Sequence, residues 1–153
     1  MIATGDKAPD FDLEGAQGAR VRLGDYLGRK NVLLVFHPFA WTGICTEEAL
    51  DLQANLDTFR EADTEIVLVS CDTAPARQAW KEELGAEYAF PSDFWSHGAV
   101  AKAYGVFNEV TGAPVRGTFL IDKQGTVIWS LVNDPNTRRA EHVPGPLDAL
   151  AQA

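Results

Sequence analysis

A chain of 153 residues that is 46% hydrophobic can enclose one substantial core and falls short of two ordinary domains, so a single domain over 1–153 is expected. Its net charge of −9 opposes nonspecific association with nucleic acid or an anionic membrane. No run reaches the roughly 18 apolar residues needed to cross a bilayer, and Met1-Ile2-Ala3-Thr4-Gly5-Asp6-Lys7 lacks the layout of a signal peptide, so a cytoplasmic protein is expected.

In chain order, Val21 to Leu23 reads as a short strand, and Asn31-Val32-Leu33-Leu34-Val35-Phe36 as a strand buried on both faces, because it is short and continuously apolar after Asn31. Helical character follows from Glu47 to Arg60, and Glu65 to Cys71 reads as the next strand, completing a parallel strand-helix-strand crossover. Thr73 can cap a second helix that carries Pro75 in its first turn and ends at Gly85. Ala99 to Tyr104 suggests a short helix stopped at Gly105. Thr118 to Asp122 and Thr126 to Leu131 flank Lys123-Gln124-Gly125, a hairpin signal, and a terminal helix is expected over Pro146 to Ala153. Asn133 to Pro146 is expected to be a long mobile loop. The order fits an α/β sandwich of three layers with a central mixed sheet.

The chemistry concentrates in Pro38-Phe39-Ala40-Trp41-Thr42-Gly43-Ile44-Cys45. This stretch sets a cysteine just beyond a buried strand, in or beside the first turn of a helix, where unpaired backbone N–H groups and the positive end of the helix dipole favour an anion. Thr42 lies three residues before Cys45, close enough for its hydroxyl to donate to a thiolate or to an oxygen under attack. The alternative is an inert, buried thiol.

Pro38-x-x-x-Thr42-x-x-Cys45 resembles the active-site signature of the peroxiredoxins, thiol peroxidases built on a modified thioredoxin fold. Gly5-Asp6-Lys7-Ala8-Pro9-Asp10-Phe11 resembles the opening segment of that family, and Arg116-Gly117-Thr118-Phe119-Leu120-Ile121-Asp122 its arginine-bearing strand. Ser92 to Val100 and Ala103 to Glu109 resemble the one-cysteine subgroup called alkyl hydroperoxide reductase E. The motif and these four further segments, in the family's order, span nearly the whole chain, which implies a thioredoxin-like fold and reduction of hydrogen peroxide and organic hydroperoxides.

The resemblance implies a role for each site residue. Cys45 would be the peroxidatic nucleophile, passing through a sulfenic acid. Arg116, permanently charged, would hold thiolate and peroxide together with Thr42 and the Cys45 backbone N–H, while Pro38 shields the site from water. Glu48 would orient Arg116; otherwise an acidic residue so near a thiolate would oppose its ionisation. His37 stands where relatives often carry an aromatic residue and could tune Cys45 or simply pack.

Cys71 could resolve the sulfenic acid as a disulfide, but its place at the end of an apolar strand favours packing. The position five residues after Cys45, where some relatives carry a second cysteine, is Leu50. One-cysteine chemistry is therefore expected, with an external thiol or a thioredoxin- or glutaredoxin-like protein as reductant, and the resemblance suggests a homodimer. Phe39 and Trp41 could line an apolar mouth suited to organic hydroperoxides. Neither a metal nor a cofactor is expected: the three histidines are widely spaced and no phosphate-binding glycine motif occurs. Thiol–disulfide exchange is a weaker alternative, because Thr42 stands where Cys-x-x-Cys would need its first cysteine; a noncatalytic partner-binding domain is another.

Overall fold

The computed structural model describes residues 2–95, 97–133 and 142–152. A small antiparallel pair, β1 (Asp12–Glu14) and β2 (Arg20–Arg22), precedes the first central strand, β3 (Asn31–Phe36). Two helices follow, α1 (Gly43–Ala54) and α2 (Leu56–Glu61), and then β4 (Thr64–Val69) and α3 (Ala74–Leu84). A short α4 (Ala99–Ala103) leads into a two-residue hairpin, β5 (Phe107–Asn108) with β6 (Ala113–Pro114). The chain continues through β7 (Arg116–Ile121), β8 (Val127–Asn133) and α5 (Pro144–Gln152).

The central sheet runs β4-β3-β7-β8. The β3–β4 pair is parallel and the other two pairs are antiparallel, so the sheet is mixed, as the order of elements predicted. Strand alternation sorts β3 between two cores. Val32, Leu34 and Phe36 pack with Phe11, Leu13, Ala101, Tyr104, Phe119 and Ile121 on the side of the N-terminal segment and α4. Leu33 and Val35 face Cys45, Ala49, Leu52, Phe59, Trp80 and Leu120, so α1, α2 and α3 cover the opposite side, with residues of α5 against its edge. Burial on both faces is why β3 reads as an unbroken apolar run. At the outer edge, Leu68 N–H donates to Ala89 and Asp93 N–H to Ser70, so residues 89–93 cover β4.

Several boundaries differ from expectation. The early strand is Arg20–Arg22, and its partner β1 carried no separate signal. The expected helix over 47–60 begins four residues earlier and breaks at Asn55, whose side-chain amide donates to the Asp51 carbonyl at 2.8 Å and closes α1. Thr73 does cap α3, accepting from Ala76 N–H, and Gly85 ends it in the left-handed region at φ 67°. Helix α5 starts two residues before Pro146. The loop expected over 133–146 falls at 134–141 outside the described residues.

Cys71 requires a correction, since it does not end a strand. Strand β4 stops at Val69, and the Ser70 hydroxyl donates to Asp72 Oδ2 at 2.5 Å in a local turn that carries Cys71 off the ladder. Its thiol is only partly buried.

Candidate active site

The loop after β3 is held at both ends. His37 N–H extends the parallel ladder to the Val69 carbonyl at 3.0 Å, and Ala40 N–H donates to Asp72 Oδ2 at 2.8 Å. Trp41 takes the left-handed conformation, φ 64°, which a bulky side chain adopts only when its surroundings impose it. Here its indole N–H donates to Glu83 at 2.5 Å and its ring lies 6.4 Å from that of Trp80. The turn brings Thr42 to the position capping α1, so Cys45 is the third residue of the helix, 1% exposed among the unpaired N–H groups of the first turn.

Strand β7 delivers Arg116 to the same point. Its Nη2 donates to Cys45 Sγ at 3.2 Å, and its Nη1 pairs with Glu48 Oε1 one helical turn beyond the cysteine. Glu48 and Arg116 are 1% and 2% exposed, which makes this a desolvated ion pair whose geometry the core enforces. Next to Arg116, Gly117 lets Val106 pack closely on β7: a Cβ there would lie 2.8 Å from Val106 Cγ1. The Arg116 guanidinium thus places a fixed, permanently charged donor on the sulfur.

The guanidinium also faces a cavity of about 530 Å³ lined by Pro38, Phe39, Thr42, Ile44, Asn108, Thr111 and Pro114. Its walls are largely apolar, with Arg116 as the cation among the lining residues. Thr42 Oγ1 does not donate to Cys45 in this structure; it donates to the Phe39 carbonyl at 2.9 Å and keeps the oxygen at the cavity wall. Asn108, Thr111 and Pro114 were missed as site residues. The turn signal was present, since Asn108 Oδ1 accepts from Val110 N–H and Gly112 sits at φ 71°, but nothing local says that this hairpin lands opposite α1.

His37 and Cys71 behave differently from the central group. His37 is fully buried, with Nε2 2.5 Å from Arg77 Nη1; because arginine only donates, Nε2 accepts and the ring proton sits on Nδ1. Burial first, then the charges of Arg77 and Arg116, hold this imidazole well below its ordinary value of 6.5. Cys71 is pushed in the opposite sense, up to about 12, by burial and then by Asp93 and Asp72. Such a thiol stays protonated and is a poor nucleophile. Among the described residues, no cluster of three or more His, Cys, Asp or Glu could hold a metal ion.

The AhpC/TSA family profile matches residues 4–130. The chain belongs to the AhpC/TSA family of peroxiredoxins. It is 40% identical over 151 residues to alkyl hydroperoxide reductase E of Mycobacterium tuberculosis, covering 99% of this chain and 97% of that one. Among solved structures, peroxidoxin BcpB from Mycobacterium tuberculosis superposes with a TM-score of 0.89 at 29% identity, over 99% of this chain and 98% of the other. AhpC of Enterococcus faecalis does so with a TM-score of 0.87 at 28% identity, covering 99% and 93%. The peroxiredoxin's activity is thiol-dependent reduction of hydroperoxides, and its fold is the thioredoxin-like one that the resemblance implied.

Proposed function

We propose that the chain works as a single peroxidase domain in which Cys45 is the only cysteine that turns over. The thiolate attacks one oxygen of a hydroperoxide, forming an S–O bond as the O–O bond breaks; sulfur is oxidised by two electrons to the sulfenic acid, and the departing oxygen takes up a proton to leave as water or an alcohol. The observation that carries this reading is the bifurcated use of Arg116, with one nitrogen on Cys45 Sγ and the other on Glu48, at the wall of the cavity. A guanidinium fixed by Glu48 needs little reorganisation when charge builds on the departing oxygen, which is the condition for stabilising the transition state more than the resting state. Pro38 and Phe39 keep water from the sulfur, and Thr42 aligns the peroxide from the wall.

Several finer statements belong to the same reading. The protonated Cys71 and the absence of a cysteine at position 50 support an external thiol or small redox protein as the reductant. Apolar walls at Phe39, Ile44 and Pro114 suit organic hydroperoxides as well as hydrogen peroxide. A catalytic cycle that needs free thiols fits a reducing compartment, the cytoplasm. Exposed Phe39 on the cavity wall and Val110 in the adjoining hairpin, together with exposed Phe94 and Trp95, support a homodimer.

The test is stopped-flow tryptophan fluorescence on mixing reduced protein with a hydroperoxide, followed by intact mass. Wild type and Cys71→Ser are expected to react fast and gain one oxygen, with Cys45→Ser inert. Loss of two hydrogens that depends on Cys71 would end the one-cysteine reading, and rapid consumption by Cys45→Ser would end the assignment of the nucleophile.

A further inference from the structure

Helix α3 carries a second buried guanidinium that the reaction as described does not use. Arg77 is fully buried, yet none of its hydrogen bonds ends on a carboxylate: Nε donates to the Pro91 carbonyl, Nη2 to Leu68 and Nη1 to Ser70 Oγ and His37 Nε2. Asp72 is reached only through the Ser70 hydroxyl, which donates to it at 2.5 Å. Aromatic faces complete the enclosure, with the guanidinium 5.5 Å from the Trp80 ring and 5.0 Å from that of Phe90. Isolating a cation in this way is expensive, and apolar replacements of buried charges are often neutral or stabilising, so stability alone is a poor reason for the residue. Burial lowers its pKa to about 10, opposed by Asp72, Tyr88, Cys45 and Cys71, so the group is still charged at neutral pH.

The position of that charge is informative. Trp80 and Phe90, the two rings beside Arg77, belong to the core that encloses Cys45 and Ala40. Arg77 and Cys45 thus border the same dry core, and His37 lies within the fields of both Arg77 and Arg116. His37 immediately precedes Pro38, and its ring stacks 5.2 Å from that of Trp80. A neutral acceptor is the one imidazole state compatible with two neighbouring guanidiniums.

We propose that Arg77, held by neutral His37, is a positioning residue for peroxide reduction: it supplies a second positive charge to the Cys45 thiolate through the core they share, and the His37 contact ties that charge to the loop bearing Pro38 and Thr42. The proposal rests on Cys45 being the nucleophile. Arg116 acts from the cavity and touches sulfur, whereas Arg77 acts only through the core and the loop. Charge separated from sulfur by a low-dielectric medium is screened far less than charge across water, so a distant cation still counts.

The experiment measures, in a Cys71→Ser background, the rate of Cys45 oxidation by hydrogen peroxide, the pH profile of Cys45 alkylation by neutral iodoacetamide, and thermal stability. Arg77→Met is expected to slow oxidation about tenfold at pH 7, the effect of a charge worth roughly one pKa unit, and to move the alkylation profile to higher pH. The double variant Arg77→Met with His37→Phe replaces both polar partners by apolar ones, so its stability is expected to recover towards wild type while oxidation stays slow. His37→Gln, which keeps an acceptor for Arg77, is expected to retain most of the rate. Wild-type oxidation in Arg77→Met, or recovery of rate together with stability in the double variant, would overturn the proposal by reducing the pair to packing. Cys45→Ser with Cys71 left intact separates the two levels: if it is still oxidised rapidly by peroxide the nucleophile reading fails and this proposal with it, whereas an inert Cys45→Ser beside a fully active Arg77→Met removes this proposal alone.

Discussion

Arg116 and Glu48 meet in a core that excludes water, and removing either partner would strip the other of this buried ion pair, at a cost of about 3–5 kcal/mol. Their pairing was implied by family likeness, because no spacing rule connects residues 68 positions apart. His37 was the ambiguous residue in the sequence, and burial decided its state. Its folded-state pKa lies well below 6.5 while the unfolded chain titrates near that value, so its contribution to stability is fully present above pH 6.5. As the pH falls below 6.5, the unfolded state binds a proton that the folded state refuses, and stability declines by up to about 1.4 kcal/mol per pH unit. Urea unfolding of wild type between pH 7 and about 5, above most carboxylate titrations, is expected to show this slope, and His37→Gln to flatten it. An unchanged slope in His37→Gln would mean that another group supplies it.

Elements were easier to read than their ends. The apolar run of β3, the Thr73 cap and the Gly85 stop are signals local to a few residues, and the structure keeps all three. The early start of α1 follows a loop fixed from elsewhere, by Asp72 on Ala40 and Glu83 on Trp41, whereas its break is local, made by Asn55 on the Asp51 carbonyl. Docking of α5 is a similar case. Gly145 lies in its first turn against β8, and a Cβ there would fall 2.4 Å from Trp129 Cζ2. Helix propensity would reward Gly145→Ala by up to about 1 kcal/mol, but displacing an indole from a packed interface costs about 1–3 kcal/mol. We therefore expect Gly145→Ala to lower thermal stability and speed amide exchange in α5, with peroxide oxidation of Cys45 little changed. A raised melting temperature would show that the indole moves aside freely.

At the scale of the whole molecule, several large apolar side chains among the described residues are left in solvent, with Phe39 on the cavity wall and Val110 in the hairpin that adjoins it. Phe39 is 44% exposed, Trp95 73% and Val110 94%. Gly98, three residues after Trp95, packs against Phe107 of the β5–β6 hairpin, and that hairpin shares the cavity wall with Phe39. If this rim is the homodimer interface, Trp95→Glu places a charge where an aromatic anchor should sit and weakens dimerisation at least 100-fold, roughly 2.7 kcal/mol, by sedimentation velocity. A wild-type protein that remains monomeric at tens of micromolar, on the order of typical assay concentrations, would remove the interface reading. The sequence by itself determined the fold class, the strand and helix that present Cys45, and the absence of a local second thiol, because periodicity, capping and spacing act within a few residues. Only the tertiary structure decided that Asn108 and Thr111 face α1, that Cys71 leaves its strand, and that Arg77 is buried against His37. Each depends on how the chain returns after tens of residues, and on the water excluded when those segments meet, neither of which a short window of sequence encodes.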